Sequence, residues 1–323
     1  MFLTIKRKRQ LTQILKRRRI LTNKLPQVIA IVGTNASGKS AVGIELAKVF
    51  NGEIISADSR QVYRGFDLCC GKVTDEESQI VPHHLLDVRN IGDCFSVADY
   101  QTMACSIITQ ILQRKRIPFI VGGTGLYVSS VIKGYLMRDE SVEIELRDKL
   151  DKLSLKDLQE KLTPEGRAFL ASNSSEFQNR RRIIRVIEKT AHGEPLYYEN
   201  TPKYNALQLG ITWSKETLHK RIDERLDARI ERGMIDEVKE YLDQGGDQKV
   251  LYNLGLEYRY ILWYLTGKFH SITDFKLELS RAIKHFAKRQ ATWFNRDKSI
   301  HWLDMNSDYS SQSRSLISDF LEL

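Results

Sequence analysis

The stretch QVIAIVGTNASGKS, residues 27–40, joins an apolar β-branched run to a glycine-rich segment. The run that ends at Gly33 is typical of a buried strand, and a helical pattern of apolar residues follows from Lys39 to Phe50. The segment between them, GTNASGKS, fits the pattern G-x-x-x-x-G-K-[ST] in the strand-to-helix context that the pattern requires. The sequence therefore predicts a phosphate-binding loop.

The chemistry of this loop predicts a phosphorylated ligand and a Mg²⁺ ion. Backbone N–H groups around Ser37–Ser40 are expected to point into an anion, with support from the positive end of the following helix. Lys39 adds a positive charge at the outer phosphate, and the Ser40 hydroxyl can ligate Mg²⁺. The expected ligand-binding residues are Gly33, Thr34, Asn35, Ala36, Ser37, Gly38, Lys39 and Ser40.

Strands and helices alternate through the first 137 residues. The segments EIISAD (53–58) and IPFIVGGTG (117–125) predict two more strands. Amphipathic helices are predicted at 96–115, after a Ser cap, and at 126–133. This alternation predicts an α/β fold, a P-loop NTPase-like parallel sheet flanked by helices.

The pattern changes after residue 137. Residues 138–203 contain many charges, two helical patterns and no convincing strand, so we interpret them as an inserted all-helical domain. The segment ALQLGITW (206–213) returns to strand-like composition. The predicted core therefore comprises 27–137 and 204–323. Its later part is predicted to contain helices at 215–243, 250–266 and 273–294, and a last strand at 300–303.

The positive charge of the chain is concentrated at its start. Residues 1–26 contain nine Lys or Arg residues and no acidic residue, which accounts for the whole net charge of +9. The rest of the chain is neutral, so a basic surface there requires local clustering. The segment could be an arm that contacts phosphate backbone, a targeting peptide or a stretch upstream of the functional start. We favour a disordered basic extension, because the segment lacks the features of a secretory signal.

The cysteine pattern predicts a reducing compartment, and the hydropathy of the chain predicts no membrane span. The four cysteines include an adjacent pair, Cys69 and Cys70, and no C-x2-C pair that would indicate zinc. Free thiols and a cytoplasmic location are expected. No apolar stretch approaches the roughly 18 residues that indicate a membrane span.

An acidic residue follows the second predicted strand instead of the third. A kinase or ATPase of this class usually has an acidic residue at the end of a later strand, next to Mg²⁺ and the nucleophile. Here IPFIV is followed by Gly122, Gly123 and Thr124, whereas Asp58 follows the second strand. A carboxylate beside the phosphate site can take a proton from an incoming nucleophile, so the bound phosphate can be a leaving group. This arrangement indicates a transferase that displaces diphosphate.

With these residues in place, the chain resembles the tRNA dimethylallyltransferases over about residues 27–304. The resemblance rests on ordered motifs whose combination is far more specific than the phosphate loop alone. They are GTNASGKS (33–40), SADSRQVYRGFD (56–67), PHHLLD (82–87), FSVADY (95–100), VGGTGLYV (121–128), NRRRIIRVIE (179–188), LHKRIDERL (218–226) and AKRQATWF (287–294). One departure is GLEYR (255–259), where the family often has G-Y-[KR]-[EQ].

The resemblance implies an activity and three catalytic residues. The family transfers a dimethylallyl group from dimethylallyl diphosphate to N6 of the adenosine next to the anticodon of tRNA. By this resemblance Asp58 is the general base for the amine, Thr124 orients the amine, and Arg225 neutralises the departing diphosphate together with Mg²⁺. The resemblance also implies a monomer.

The resemblance further implies residues that contact tRNA. Arg180, Arg181, Arg182 and Arg185 fall within six positions, a cluster suited to phosphate contacts, although such clusters are often only solvated helix faces. The basic positions Arg281, Lys284 and Lys288 form a second stripe at helical spacing. The implied tRNA-binding residues are Asp58, Ser59, Arg60, Gln61, Arg147, Arg181, Arg182, Ile183, Ile184, Arg185, Lys288, Arg289 and Gln290.

Three other functions are compatible with parts of the pattern. A prenyltransferase that acts on free AMP, ADP or ATP would share the loop and Asp58, but it would not need an inserted domain with an arginine cluster. A nucleotide kinase or nucleic-acid-stimulated ATPase would instead release phosphate from ATP. An RNA-binding module with a decayed catalytic loop is disfavoured, because Lys39, Ser40 and Asp58 are intact.

Overall fold

A computed structural model describes residues 25–136, 144–171, 177–196 and 200–323. Residues 1–24 of the basic N-terminal extension (1–26) therefore lie outside the described residues. The prediction of disorder for that segment stays a prediction.

Six parallel strands form one sheet in the order β3-β2-β4-β1-β5-β6. The strands are β1 (Gln27–Gly33), β2 (Gly52–Ser56), β3 (His83–His84), β4 (Ile117–Gly122), β5 (Asn205–Thr212) and β6 (Ile300–Asp304). Helices cover both faces, so the predicted α/β class with a parallel, P-loop NTPase-like sheet is confirmed.

Strand β1 lies near the middle of the sheet because its residues are apolar on both faces. Residues 28–32 are completely buried. Ala30 aligns with Ile120 of β4 on one side and with Gln208 of β5 on the other. Since all strands are parallel, the segments that follow β1, β2 and β4 meet at the same edge of the sheet, where α/β folds usually bind ligands.

Fifteen helices occur among the described residues. They are α1 (Lys39–Val49), α2 (Asp67–Cys70), α3 (Asp75–Ile80), α4 (Val97–Gln113), α5 (Gly125–Ile132), α6 (Ile144–Asp151), α7 (Leu155–Glu160), α8 (Pro164–Ala171), α9 (Arg180–Ala191), α10 (Lys215–Glu231), α11 (Met234–Asp243), α12 (Gln248–Leu254), α13 (Leu256–Leu265), α14 (Ile272–Phe294) and α15 (Tyr309–Leu321). The single helix predicted at 215–243 is two helices, because Gly233 adopts a left-handed conformation (φ 99°). The helix predicted at 250–266 is likewise interrupted, at Gly255.

The chain divides into two compact units. Among the described residues, one contains 25–134 and 202–323, and the other contains 135–136, 144–171, 177–196 and 200–201. Within its described residues the second unit consists of helices α6 to α9, packed around apolar side chains that include Leu158, Leu170 and Ile183.

Three features are absent from the described ranges. No helix there combines the length and the apolar character needed to cross a bilayer. No group of three or more His, Cys, Asp or Glu side chains comes close enough together to hold a metal ion. All four cysteines, which do fall within these ranges, are free thiols.

Candidate active site

Residues Gly33–Ser40, called here the anion cradle, comprise the end of β1, the loop after it and the first two residues of α1. Two of its residues have positive φ angles, Ala36 at 60° and Gly38 at 90°. Gly38 is the N-cap of α1 and provides no side-chain cap, so the first amides of the helix are not satisfied by a capping side chain. Such amides, together with the helix dipole, make a binding site for an anion.

Lys39 places a buried positive charge in the anion cradle. Its side chain Nζ donates a hydrogen bond to the Thr34 carbonyl oxygen (3.2 Å), and the residue is 9% exposed. Burial lowers the pKa of Lys39 to about 8; the negative charge of Asp58 opposes this shift and the positive charge of Arg225 adds to it. Among the described residues no carboxylate lies within ion-pair distance of Nζ, so this charge is available to an anionic ligand.

Two side chains from the segment that follows β5, the strand beside β1, hold the backbone of the cradle. Trp213 Nε1 donates to the Ser37 carbonyl oxygen (2.8 Å), and Arg221 Nε donates to the Ala36 carbonyl oxygen (2.9 Å). The Arg221 guanidinium lies 4.7 Å from the centre of the Trp213 ring. Sequence reasoning missed both residues; Arg221 belongs to the LHKRIDERL motif, but nothing in the sequence distinguishes Trp213.

Asp58 and Thr124 are brought together by the loops that follow β2 and β4. The backbone N–H of Arg60 donates to Asp58 Oδ1 (2.9 Å), and that of Ser59 donates to Thr124 Oγ1 (3.0 Å). The two loops approach so closely that a Cβ atom at Gly122 would lie 2.1 Å from the Ala57 carbonyl oxygen. Glycine is therefore required at position 122 if the carboxylate and the hydroxyl are to share one site.

A cavity of about 340 Å³, called here the Asp58 cavity, connects these groups to the anion cradle. Asn35 of the cradle, Asp58 and Thr124 contribute to its lining. Much of the remaining wall is apolar or aromatic and includes Leu126, Leu256, Phe286, Trp293 and Phe294. The cavity thus combines a carboxylate, an adjacent anion site and a surface suited to a small hydrocarbon group.

Arg225 lies on the other side of the cradle. It lines a groove of about 430 Å³ together with Lys39 and Ser40, and its Nη2 donates to the Gly71 carbonyl oxygen (3.4 Å). Glu77 and Glu224 line the same groove. Mg²⁺ in proteins commonly takes one or two protein oxygens and completes its shell with substrate phosphate oxygens and water. The Ser40 hydroxyl beside these carboxylates fits such a donor set.

Helix α2, which contributes Cys69 and Cys70 to the Asp58 cavity, is anchored by charged residues of α10 and α11. The Glu237 carboxylate accepts hydrogen bonds from the backbone N–H groups of Leu68 (2.7 Å) and Cys69 (2.9 Å). Arg229 donates to the carbonyl oxygens of the same two residues. Sequence reasoning missed this clamp, which holds one wall of the cavity in place.

The segment Asp58–Gln61 divides into lining and structural residues. Ser59 and Arg60 line the Asp58 cavity. Gln61 does not, because its Oε1 accepts from Ser56 Oγ (2.8 Å) and its Nε2 donates to the Gly71 carbonyl oxygen (3.1 Å). This amide joins β2 to the segment after α2, and its contact with a tRNA base stays a prediction.

The arginine-rich helix α9 uses much of its charge within its own unit. Arg147 donates two hydrogen bonds to the buried Glu188 carboxylate (2.7 and 2.6 Å), and Arg185 donates a third (3.3 Å). Arg180 donates to the carbonyl oxygens of Leu150, Asp151 and Leu153.

The other implied RNA contacts on α9 fall into two groups. Ile183 and Ile184 are buried in the hydrophobic core of the unit, so their side chains do not form a surface for RNA. Arg181 and Arg182 are exposed.

Helix α14 exposes basic side chains on two sides. Arg289 contributes to the Asp58 cavity. Lys288 lines a separate groove of about 750 Å³ with Arg281, Lys284 and Lys215. Lys284 Nζ lies 2.7 Å from Asp223 Oδ2, so part of this positive charge is neutralised. Gln290, by contrast, is buried.

Comparison with known proteins agrees with this geometry. A family model described as IPP transferase matches residues 61–297. The tRNA dimethylallyltransferase of Halalkalibacterium halodurans is 38% identical over 86% of this chain and 91% of its own, and that of Carboxydothermus hydrogenoformans is 40% identical over 87% and 93%.

A solved structure extends the similarity to the fold. The full-length tRNA isopentenylpyrophosphate transferase from Bacillus halodurans superimposes with a TM-score of 0.68 at 36% identity, covering 93% of this chain and 96% of that one. The family model and both relatives each cover more than two thirds of this chain. The chain therefore belongs to the IPP transferase family.

Proposed function

We propose that this protein transfers a dimethylallyl group from dimethylallyl diphosphate to N6 of the adenosine next to the anticodon of tRNA, with release of diphosphate. The observation that carries the proposal is the Asp58 cavity, in which a carboxylate faces an apolar space beside an anion cradle. A diphosphate fits the cradle, a five-carbon hydrocarbon fits the apolar wall, and an amine fits the carboxylate.

The anion cradle holds the leaving group in this proposal. The uncapped backbone amides at the start of α1, the Lys39 ammonium and the Arg225 guanidinium are in place before charge develops on the departing diphosphate, which lowers the barrier. Mg²⁺ bound by Ser40 and by diphosphate oxygens would add positive charge at the leaving group. Asn35 supports the arrangement, because it belongs to the cradle and also lines the Asp58 cavity.

Asp58 and Thr124 act on the acceptor. The adenine N6 amine is a poor nucleophile because its lone pair is delocalised into the ring, so loss of a proton to Asp58 as the C–N bond forms promotes attack. The Thr124 hydroxyl, which already accepts from the Ser59 N–H, limits the positions open to the amine. The acceptor base must leave the anticodon loop stack to reach this cavity.

RNA binding is proposed to use exposed basic side chains in both units. In the helical unit these are Arg181 and Arg182, and in the core they are Lys288 and Arg289. Arg147 and Arg185 are proposed to act indirectly, by fixing α9 through Glu188. We expect a monomer that acts on the anticodon stem-loop in the cytoplasm.

Labelled dimethylallyl diphosphate provides the test. The protein and Mg²⁺ are incubated with the labelled donor and, separately, with unmodified tRNA, AMP or no acceptor. The expected result is label in tRNA alone and release of one diphosphate for each group transferred. Label in AMP but not in tRNA would instead identify a nucleotide prenyltransferase. Phosphate release from ATP without prenyl transfer would identify an ATPase.

A further inference from the structure

Gln290 lies on α14, next to the exposed Lys288 and Arg289, but its side chain points into the protein and is 7% exposed. Its Oε1 accepts a hydrogen bond from the backbone N–H of Asn35 (2.8 Å). Its Nε2 donates to the Gly123 carbonyl oxygen (2.9 Å). The two ends of this one amide thus form hydrogen bonds with two loops that are distant in sequence.

The close approach of this amide restricts the residue beside it. A Cβ atom at Gly123 would lie 2.6 Å from Gln290 Nε2, so a side chain at position 123 would displace the amide. A buried polar group that loses its partners destabilises a protein, which makes an apolar residue at position 290 unfavourable unless both loops rearrange.

The two loops joined by Gln290 are the two halves of the site. Asn35 belongs to the anion cradle. Gly123 precedes Thr124, whose hydroxyl accepts from the Ser59 N–H one residue beyond Asp58. The distance between the bound leaving group and the acceptor amine is therefore set partly through this one side chain.

We infer that Gln290 is a positioning residue that fixes the anion cradle relative to Asp58 and Thr124. The inference rests on the proposed function for the identity of the two ligands. It differs from the implied role of Gln290 as a tRNA contact, because the amide is buried and already bonds to both loops.

Two substitutions test the inference through kinetics. Gln290→Leu removes both hydrogen bonds, and a small displacement of the reacting groups is expected to lower kcat by about 10- to 100-fold with little change in the KM for tRNA. Gln290→Glu keeps the acceptor for the Asn35 N–H but donates to the Gly123 carbonyl only when protonated. The ratio of its kcat to that of the wild type should therefore rise as the pH falls.

Lys288→Ala serves as the comparison for a direct RNA contact and should raise the KM for tRNA with little change in kcat. If Gln290→Leu behaves in the same way, Gln290 is an RNA contact and the inference is wrong. If the Gln290→Glu ratio does not change with pH, the donor to Gly123 has no kinetic role and the inference is also wrong. If Gln290→Leu fails to fold, the pH dependence of kcat for Gln290→Glu still tests the inference.

Calorimetry with inorganic diphosphate, in the absence of RNA, separates this inference from the proposed function. Gln290→Leu should weaken diphosphate binding by about tenfold, because the Asn35 amide loses its anchor. If the wild type fails to modify tRNA while this loss is seen, the proposed function is wrong and the positioning role stands. If the wild type modifies tRNA and Gln290→Leu matches it in kcat and in diphosphate affinity, only the positioning role is wrong.

Discussion

The anion cradle and the arginine-rich helix α9 both concentrate positive charge, but they use it differently. In the cradle, Lys39 is buried and has a backbone carbonyl as its partner, so its charge remains available to an anion. On α9, Arg185 is paired with Glu188, and Arg180 bonds to carbonyl oxygens at the end of α6. A basic cluster in sequence therefore indicates a ligand site only where the fold leaves donors of the charged groups unused.

The largest expected effect is the fall in kcat when Asp58, beside the anion cradle, is replaced. Asp58→Asn keeps the size of the side chain and an oxygen that can accept from the Arg60 N–H, but it removes the base. We expect kcat to fall by about 10²- to 10⁴-fold, the usual contribution of a general base. Steady-state prenyl transfer to tRNA measures the loss, and diphosphate affinity measured by calorimetry should be retained. Turnover near that of the wild type would exclude Asp58 as the base.

The second prediction concerns the structural charges of the helical unit. Glu188→Gln removes the negative charge that Arg147 and Arg185 share, while the side chain keeps nearly the same shape. We expect the free energy of unfolding of this unit to fall by about 1–3 kcal/mol, because a charged hydrogen-bonded network loses its central partner. Urea unfolding followed by a probe in residues 144–196 measures the change. An unchanged midpoint would show that the network does not stabilise the unit.

The third prediction follows from the lowered pKa of Lys39, which is about 8 in the free protein. A bound diphosphate stabilises the protonated form, so affinity is complete below pH 8 and declines as the pH rises through that value. Between pH 7 and pH 9 the decline should be roughly tenfold, which corresponds to the loss of protonated Lys39. Calorimetry with inorganic diphosphate measures it, and Lys39→Arg, whose charge persists, should give a flatter profile. Equal profiles for the two proteins would contradict the assignment.

The smallest expected effect distinguishes exposed from structural arginines on one helix. Arg181→Ala should weaken tRNA binding by only a few-fold and reduce the slope of log K against log salt by about 0.7 to 0.9, as expected for one lost phosphate contact. Its free energy of unfolding should stay within about 0.5 kcal/mol of the wild type. Arg180→Ala is the matched control and should instead lower the stability of the unit. If Arg181→Ala leaves the slope of log K against log salt unchanged, Arg181 does not contact a phosphate of the RNA.

Local patterns predicted the sheet and part of the site. The apolar run before Gly33 and the turn that follows it are contiguous in sequence, so β1, the cradle and α1 were predicted with nearly their observed limits. The Ser96 cap was predicted and is observed, with a hydrogen bond from the Asp99 N–H. The two-residue strand β3 was missed because two residues are too few for a periodicity, and its pairing depends on β2.

Contacts between distant residues were not predictable in the same way. Trp213 lies 176 residues from Ser37, and no local pattern records that its indole N–H meets a loop carbonyl. The roles of Gln61 and Arg147 were implied by the resemblance, which does not say what each side chain contacts in this protein. A sequence shows which hydrogen bonds a side chain can make, but not whether another part of the protein already makes them.

The hydrogen bond between Asn35 and Gln290 spans 255 positions of the chain, which has a consequence for biosynthesis. A nascent polypeptide that ends before Ile272 contains the whole phosphate-loop motif and Asp58, yet it lacks the helix that anchors the Asn35 amide of that loop. The cradle is translated long before this anchor exists. Completion of the site therefore has to wait until residues 272–294 have left the ribosome.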